Sequence, residues 1–102
     1  MADKVICASL LSHRRFKRLI PKRRRGLLRS GAVLLNPGED VGWHSTAESE
    51  EAIVVLRGKG MLYYDGKSKK IKAGLFIYIP SGVVHNIRND SRQQLVYVYI
   101  CK

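Results

Sequence analysis

Apolar positions along this chain fall in short runs, and almost none follow the 3.6-residue period of a helix. β-Branched and aromatic residues dominate the runs, and Gly, Pro, Asn and Asp separate them at close, fairly even spacing. The pattern predicts strands over Lys4 to Ser9, Phe16 to Ile20, Leu27 to Leu35, Ala52 to Arg57, Met61 to Tyr64, Lys69 to Lys72, Leu75 to Ile79, Val84 to Arg88 and Leu95 to Cys101. Such a series is the signature of an all-β sandwich or barrel.

Turn chemistry supports that reading. Asp65-Gly66 stands between two strand-like runs, and both residues tolerate the positive φ angles of a type I′ turn, which predicts a β-hairpin. Asn36-Pro37-Gly38 and Pro80-Ser81-Gly82 break the chain in the same way. In the last run, Leu95, Tyr97, Tyr99 and Cys101 share one face and Val96, Val98 and Ile100 the other, so both faces should be covered. Ala52 to Leu56 likewise has no polar side, as expected of a strand in the middle of two layers or at a subunit contact. A closed barrel or sandwich that pairs as a homodimer fits both observations.

With 102 residues, 45% of them hydrophobic and 26% charged, the chain has the make-up of one ordinary globular domain. No apolar stretch nears the roughly 18 to 20 residues that cross a bilayer as a helix. The amino terminus shows no basic region ahead of its apolar run and no cleavage pattern after it, so a cytoplasmic location is expected. Cys7 and Cys101 form no metal-knuckle pattern and are expected to be buried thiols in terminal strands; a bridge between them is the alternative.

Charge is unevenly distributed. The net charge is +11, and residues 1 to 31 carry ten of the 19 basic side chains against a single acid, Asp3. Eight of the ten lie between Ser12 and Gly26: Arg14, Arg15, Lys17, Arg18, Lys22, Arg23, Arg24 and Arg25. So dense a cluster attracts polyanions, and a nucleic-acid role is one reading. Phe16, Leu19 and Ile20 interleave with these charges, which suggests an arm packed on the barrel whose field draws anionic small molecules to a pocket.

Of the three histidines, His44 and His85 follow Gly-rich turns, while His13 matches no pattern and is read as an ordinary surface or core residue. Seven residues after His44 comes Glu51, opening a run of five apolar residues. A carboxylate facing a barrel interior there needs a cation to offset its desolvation. Glu50 should point the opposite way, to solvent, and Trp43 should pack in the core or at an interface.

Gly38, His44, Thr46, Glu51 and Gly58 are spaced like the first cupin motif, which this segment resembles. Gly74, Pro80, Gly82, His85 and Asn89 resemble the second motif. The resemblance covers residues 26 to 101 and is to small single-domain cupins of the RmlC-like, cupin 2 type. It implies a double-stranded β-helix, or jelly-roll barrel, over residues 26 to 101, with residues 1 to 25 a basic arm upon it. It also implies that His44, Glu51 and His85 hold one divalent metal, such as Mn, Fe, Ni, Zn or Cu. Thr46 stands where the motif has a second histidine, which leaves two readings. Either two imidazoles and one carboxylate form a facial set with open positions, or the site has decayed. The functions implied are a metal-dependent oxygenase or isomerase of a small organic acid or sugar derivative, or a non-catalytic small-ligand binder. A nucleic-acid-associated protein acting through the basic amino-terminal segment is the third reading.

Overall fold

The computed structural model describes residues 5–10, 14–21 and 28–102. Eight strands, β1 (Phe16–Arg18), β2 (Arg29–Leu35), β3 (Glu51–Arg57), β4 (Lys59–Tyr64), β5 (Lys67–Lys72), β6 (Phe76–Ile79), β7 (His85–Arg88) and β8 (Leu95–Cys101), form two antiparallel sheets. The larger sheet has the order β1-β2-β8-β3-β6 and the smaller β5-β4-β7. Among the described residues there is no helix, and the all-β reading stands.

Alternation fixes the faces. In the larger sheet Val33, Leu35, Ile53, Val55, Ile79, Leu95 and Tyr97 point inward, and they meet Leu62, Ile71 and Ile87 of the smaller sheet in a buried core. Burying each of these aliphatic side chains contributes about 1.5–3 kcal/mol, which holds the two layers together. Chain order demands a corner between β3 and β4, and Gly58 makes it. Its φ is +80° and a Cβ there would lie 2.1 Å from the Gln94 carbonyl oxygen, so no side chain fits. The Asp65-Gly66 hairpin forms as expected, with φ of 49° and 68°, the left-handed pair a type I′ turn requires. Asn89 organises the turn before β8: it is fully buried, donates to the Leu35 and Gln93 carbonyls and accepts from the Ser91 amide.

Several expectations need correction. Val5 to Ser9 forms no strand, and Cys7 is exposed, not buried; Lys4 lies outside the described residues. The edge place beside β2 is taken by β1, which pairs Phe16 with Val33 and Arg18 with Gly31 and leaves the preceding run no such ladder. That strand stops at Arg18, two residues before the expected Ile20. Cys101 is buried as expected, and both cysteines are free thiols, which removes the bridge. Trp43 is 61% exposed and packs its ring near Tyr63, so the core reading fails for it. It precedes a loop histidine and has no strand to turn it inward. Leu27, His13 and the run Lys22 to Arg25 lie outside the described residues.

Candidate metal centre

Glu51 and His85 are the first residues of β3 and β7, one from each sheet, and both point inward with side chains 5% and 1% exposed. His44 lies in the loop between β2 and β3, where its backbone pairs with that of His85 through two hydrogen bonds of 3.0 and 2.8 Å. This bridge brings the two rings to 4.5 Å between centroids. Strand ends, a loop bridge and the barrel's closure thus gather residues that are 41 positions apart at the extremes (His44 and His85).

Backbone carbonyls set the tautomers. His44 Nδ1 is 2.9 Å from the Gly42 oxygen and His85 Nδ1 is 2.9 Å from the Val83 oxygen. A carbonyl only accepts, so each Nδ1 carries the proton and donates, which leaves the Nε2 lone pair of a neutral ring for a cation. His85 Nε2 stands 3.0 Å from Glu51 Oε1, and beyond this facing pair neither buried atom has a hydrogen-bonding partner. Two lone-pair atoms facing each other in a dry interior require a proton or a metal between them. Burial pushes the His85 imidazole down, and the Glu51 carboxylate and Val83 carbonyl overcome it, holding the ring above its ordinary value.

One ligand atom each from His44, Glu51 and His85 lies within 4.8 Å of the other two. Nitrogen and oxygen ligands sit about 2.0–2.2 Å from a first-row metal such as zinc, so two of them span up to about 4 Å and the set needs only a small contraction. The donor set suits such an ion: two neutral imidazoles and a carboxylate. Thr46 does not join them. Its hydroxyl donates to the Ser49 carbonyl at 2.6 Å, closing a short turn. Glu50 is exposed, as expected, and accepts from the Tyr78 hydroxyl.

A cavity of about 1000 Å³ opens over His44 and Glu51, with Tyr97, Tyr99, Arg18 and Arg29 in its wall. Burial drives the Tyr97 phenol far above the tyrosine range, with the nearby Glu51 carboxylate and Tyr99 adding to it, so it stays protonated. Cys101, also in the wall, is raised by burial and then by Glu51, and Arg29 works against both. A smaller cavity of about 380 Å³, lined by His85 and by Leu62, Ile71, Ile77 and Ile79, lies between β5 and β6. Tyr97 and Tyr99 line the first cavity, and Tyr64 and Tyr78 the second.

Residues 31–101 match the profile of the cupin domain. The chain belongs to the cupin family. An RmlC-like cupin with a double-stranded β-helix fold from Methanocaldococcus jannaschii superposes with a TM-score of 0.79 at 20% identity, covering 98% of this chain and 90% of that one. A predicted oxalate decarboxylase from Thermotoga maritima superposes with a TM-score of 0.75 at 27% identity, over 84% of this chain and 76% of that one. An uncharacterized protein of Aquifex aeolicus (strain VF5) is 48% identical over 48 residues, which is 47% of this chain and 40% of that protein's length. The barrel is therefore a cupin double-stranded β-helix, as the two motifs implied. Arg18 of this cupin's wall was read from sequence only as one of a basic cluster, and Arg29 was given no role. Their signal is register: Arg29, Cys101 and Glu51 are direct neighbours across β2, β8 and β3, a fact of pairing that no local pattern carries.

Proposed function

We propose that this cupin holds one divalent first-row metal through His44, Glu51 and His85 and uses the positions left open for a small ligand in the larger cavity. The observation that carries the reading is the buried pair of Glu51 Oε1 and His85 Nε2, 3.0 Å apart and without any other hydrogen-bonding partner. Bound there, the metal supplies Lewis acidity, or O₂ activation if it is redox-active. The protein's own part is to hold both Nε2 lone pairs toward it through the Gly42 and Val83 carbonyls, with the Tyr97 phenol in the cavity wall beside them. The reaction class is an oxygenase or isomerase acting on a small organic acid or sugar derivative; likeness to the predicted oxalate decarboxylase of Thermotoga maritima supports the acid.

Residues 26–101 act as one barrel with residues 1–25 as its arm, in a cytoplasmic homodimer. The outward face of the larger sheet supports the dimer, since Phe76 and Tyr78 are 64% and 54% exposed there. Elemental analysis of protein purified without an affinity tag tests the metal. About one metal per chain, falling to background in His85→Ala, is expected. Metal-free protein whose melting a chelator leaves unchanged overturns the reading.

A further inference from the structure

The larger cavity is lined by three arginines, Arg15, Arg18 and Arg29, and two acids, Asp40 and Glu51. Most of these charges are already engaged. Arg15 pairs with Glu39 at 3.4 Å, Asp40 pairs with Arg88 at 3.4 Å, and Glu51 faces His85. Arg29 pairs with no carboxylate among the described residues and donates to Ser49 Oγ at 3.0 Å, with the Cys101 thiol close enough to feel its charge. Arg18 pairs with no carboxylate among the described residues. Two guanidinium groups with no carboxylate partner among the described residues are thus left in the wall of one cavity.

Register brings them to one place. Arg18, Gly31 and Tyr99 are neighbours across β1, β2 and β8, and Arg29, Cys101 and Glu51 form the next inward-facing row. Gly31 has no side chain, and the Tyr99 ring fills its place: a Cβ on Gly31 would lie 2.6 Å from Tyr99 Cε2 and 2.7 Å from its hydroxyl oxygen. Phe16 stacks on that ring, with centroids 6.2 Å apart and planes 20° from parallel. The phenol is therefore laid over the β2 backbone toward Arg18, and the charges of both Arg18 and Arg29 act on it. Neighbouring strands stand about 4.8 Å apart, so two steps of about 10 Å in all separate the backbones of Glu51 and Arg29. With both side chains reaching inward, a molecule roughly five or six atoms long spans that gap.

We propose that Arg18 and Arg29, with the Tyr99 hydroxyl between them, grip the terminal oxyanion, a carboxylate or phosphoryl group, of a small ligand whose other end lies at the His44–Glu51–His85 centre. Guanidinium groups bind either anion through paired N–H donors, and a neutral phenol adds one more. This deepens the proposed function and rests on it for the position of the ligand's other end.

Calorimetry with glutarate and with pentanoate, which has a methyl group in place of one carboxylate, tests the grip with and without saturating Mn²⁺. Glutarate is expected to bind at least tenfold tighter than pentanoate. Arg18→Gln and Arg29→Gln should each remove at least fivefold of that preference, with melting unchanged because both side chains are exposed. Lys17→Gln removes the same charge from the outward face of the same strand and should leave the preference intact. A 3-phosphonopropionate arm shows which oxyanion fits better. No glutarate preference, or equal losses in Lys17→Gln and Arg18→Gln, overturns the proposal. An arginine-dependent preference in protein that binds no Mn²⁺ sinks the metal reading and leaves the grip standing.

Discussion

Glu51 lines the larger cavity and His85, only 3.0 Å away, lines the smaller, yet the two cavities ask opposite things of their walls. The smaller is walled by Leu62, Ile71, Ile77 and Ile79, side chains that belong to the core or pack against it, and it opens between β5 and β6, the edge strands of their sheets. Lysines at 67, 69, 70 and 72 line the β5 edge, the usual protection of an exposed strand against pairing with another chain. The larger cavity carries the imidazole of His44, the Glu51 carboxylate, two phenols and three guanidinium groups. One is the remainder of an incompletely closed barrel; the other is a place where the barrel accepts buried polarity. Apart from His85, stability should therefore reside in the first wall and chemistry in the second, and substitutions separate the two.

The largest effect belongs to the smaller cavity. Ile71→Ala removes a side chain 2% exposed and should cost about 2–5 kcal/mol in urea unfolding, with metal content per folded chain unchanged. Metal loss in this variant would erase the distinction between the walls. Glu51→Gln should do the reverse. Losing a partner that merely orients a ligand already costs roughly 10–100-fold in affinity, so losing the ligand itself should weaken metal binding by more than about 100-fold in a competition assay. The metal-free variant should lose little stability where His85 is neutral and more at lower pH, where the protonated ring has lost its buried partner.

Metal affinity should also fall with pH, since proton and metal compete for His85 Nε2. Because the ring is held above its ordinary value of 6.5, the decline in a metal titration should begin above that pH and approach tenfold per unit below it. The metal-free chain has the opposite dependence. Folding favours the protonated ring, so that stabilisation is complete below the unfolded value of about 6.5 and is lost as pH rises through the raised folded value. An affinity indifferent to pH between 5 and 8 would remove His85 from the ligand set. The smallest effect is that of Gly31→Ala, whose methyl group must push the Tyr99 ring aside. A loss of about 1 kcal/mol from disturbed stacking on Phe16 is expected, with metal content retained and a changed near-ultraviolet dichroism spectrum.

What could be read from the chain was whatever is local or spaced along it. The Asp65-Gly66 turn needs only two residues tolerant of positive φ, and the inward placement of Glu51 against the outward Glu50 follows from alternation. His44, Glu51 and His85 stood out through motif spacing, and the structure brings them together. Readings that depended on which strand lies beside which failed or were never made. Val5 to Ser9 has strand composition, but β1 holds the edge of β2. Trp43 is large and apolar, but it lies in a loop with no pleat to direct it inward. Arg18 looked like part of a general basic arm and Arg29 lay in the barrel segment without a role, and only the β1-β2-β8 register shows that both reach the cavity.

The central claim is that two imidazoles and one carboxylate, from two sheets and a loop, bind a single ion. X-ray absorption spectroscopy of the metal-loaded protein examines that shell directly. The account predicts two histidine nitrogens among ligands at about 2.0–2.2 Å, with the bound metal and its imidazole scattering lost together in His85→Ala. A shell of oxygen ligands alone, unchanged by that substitution, would contradict it.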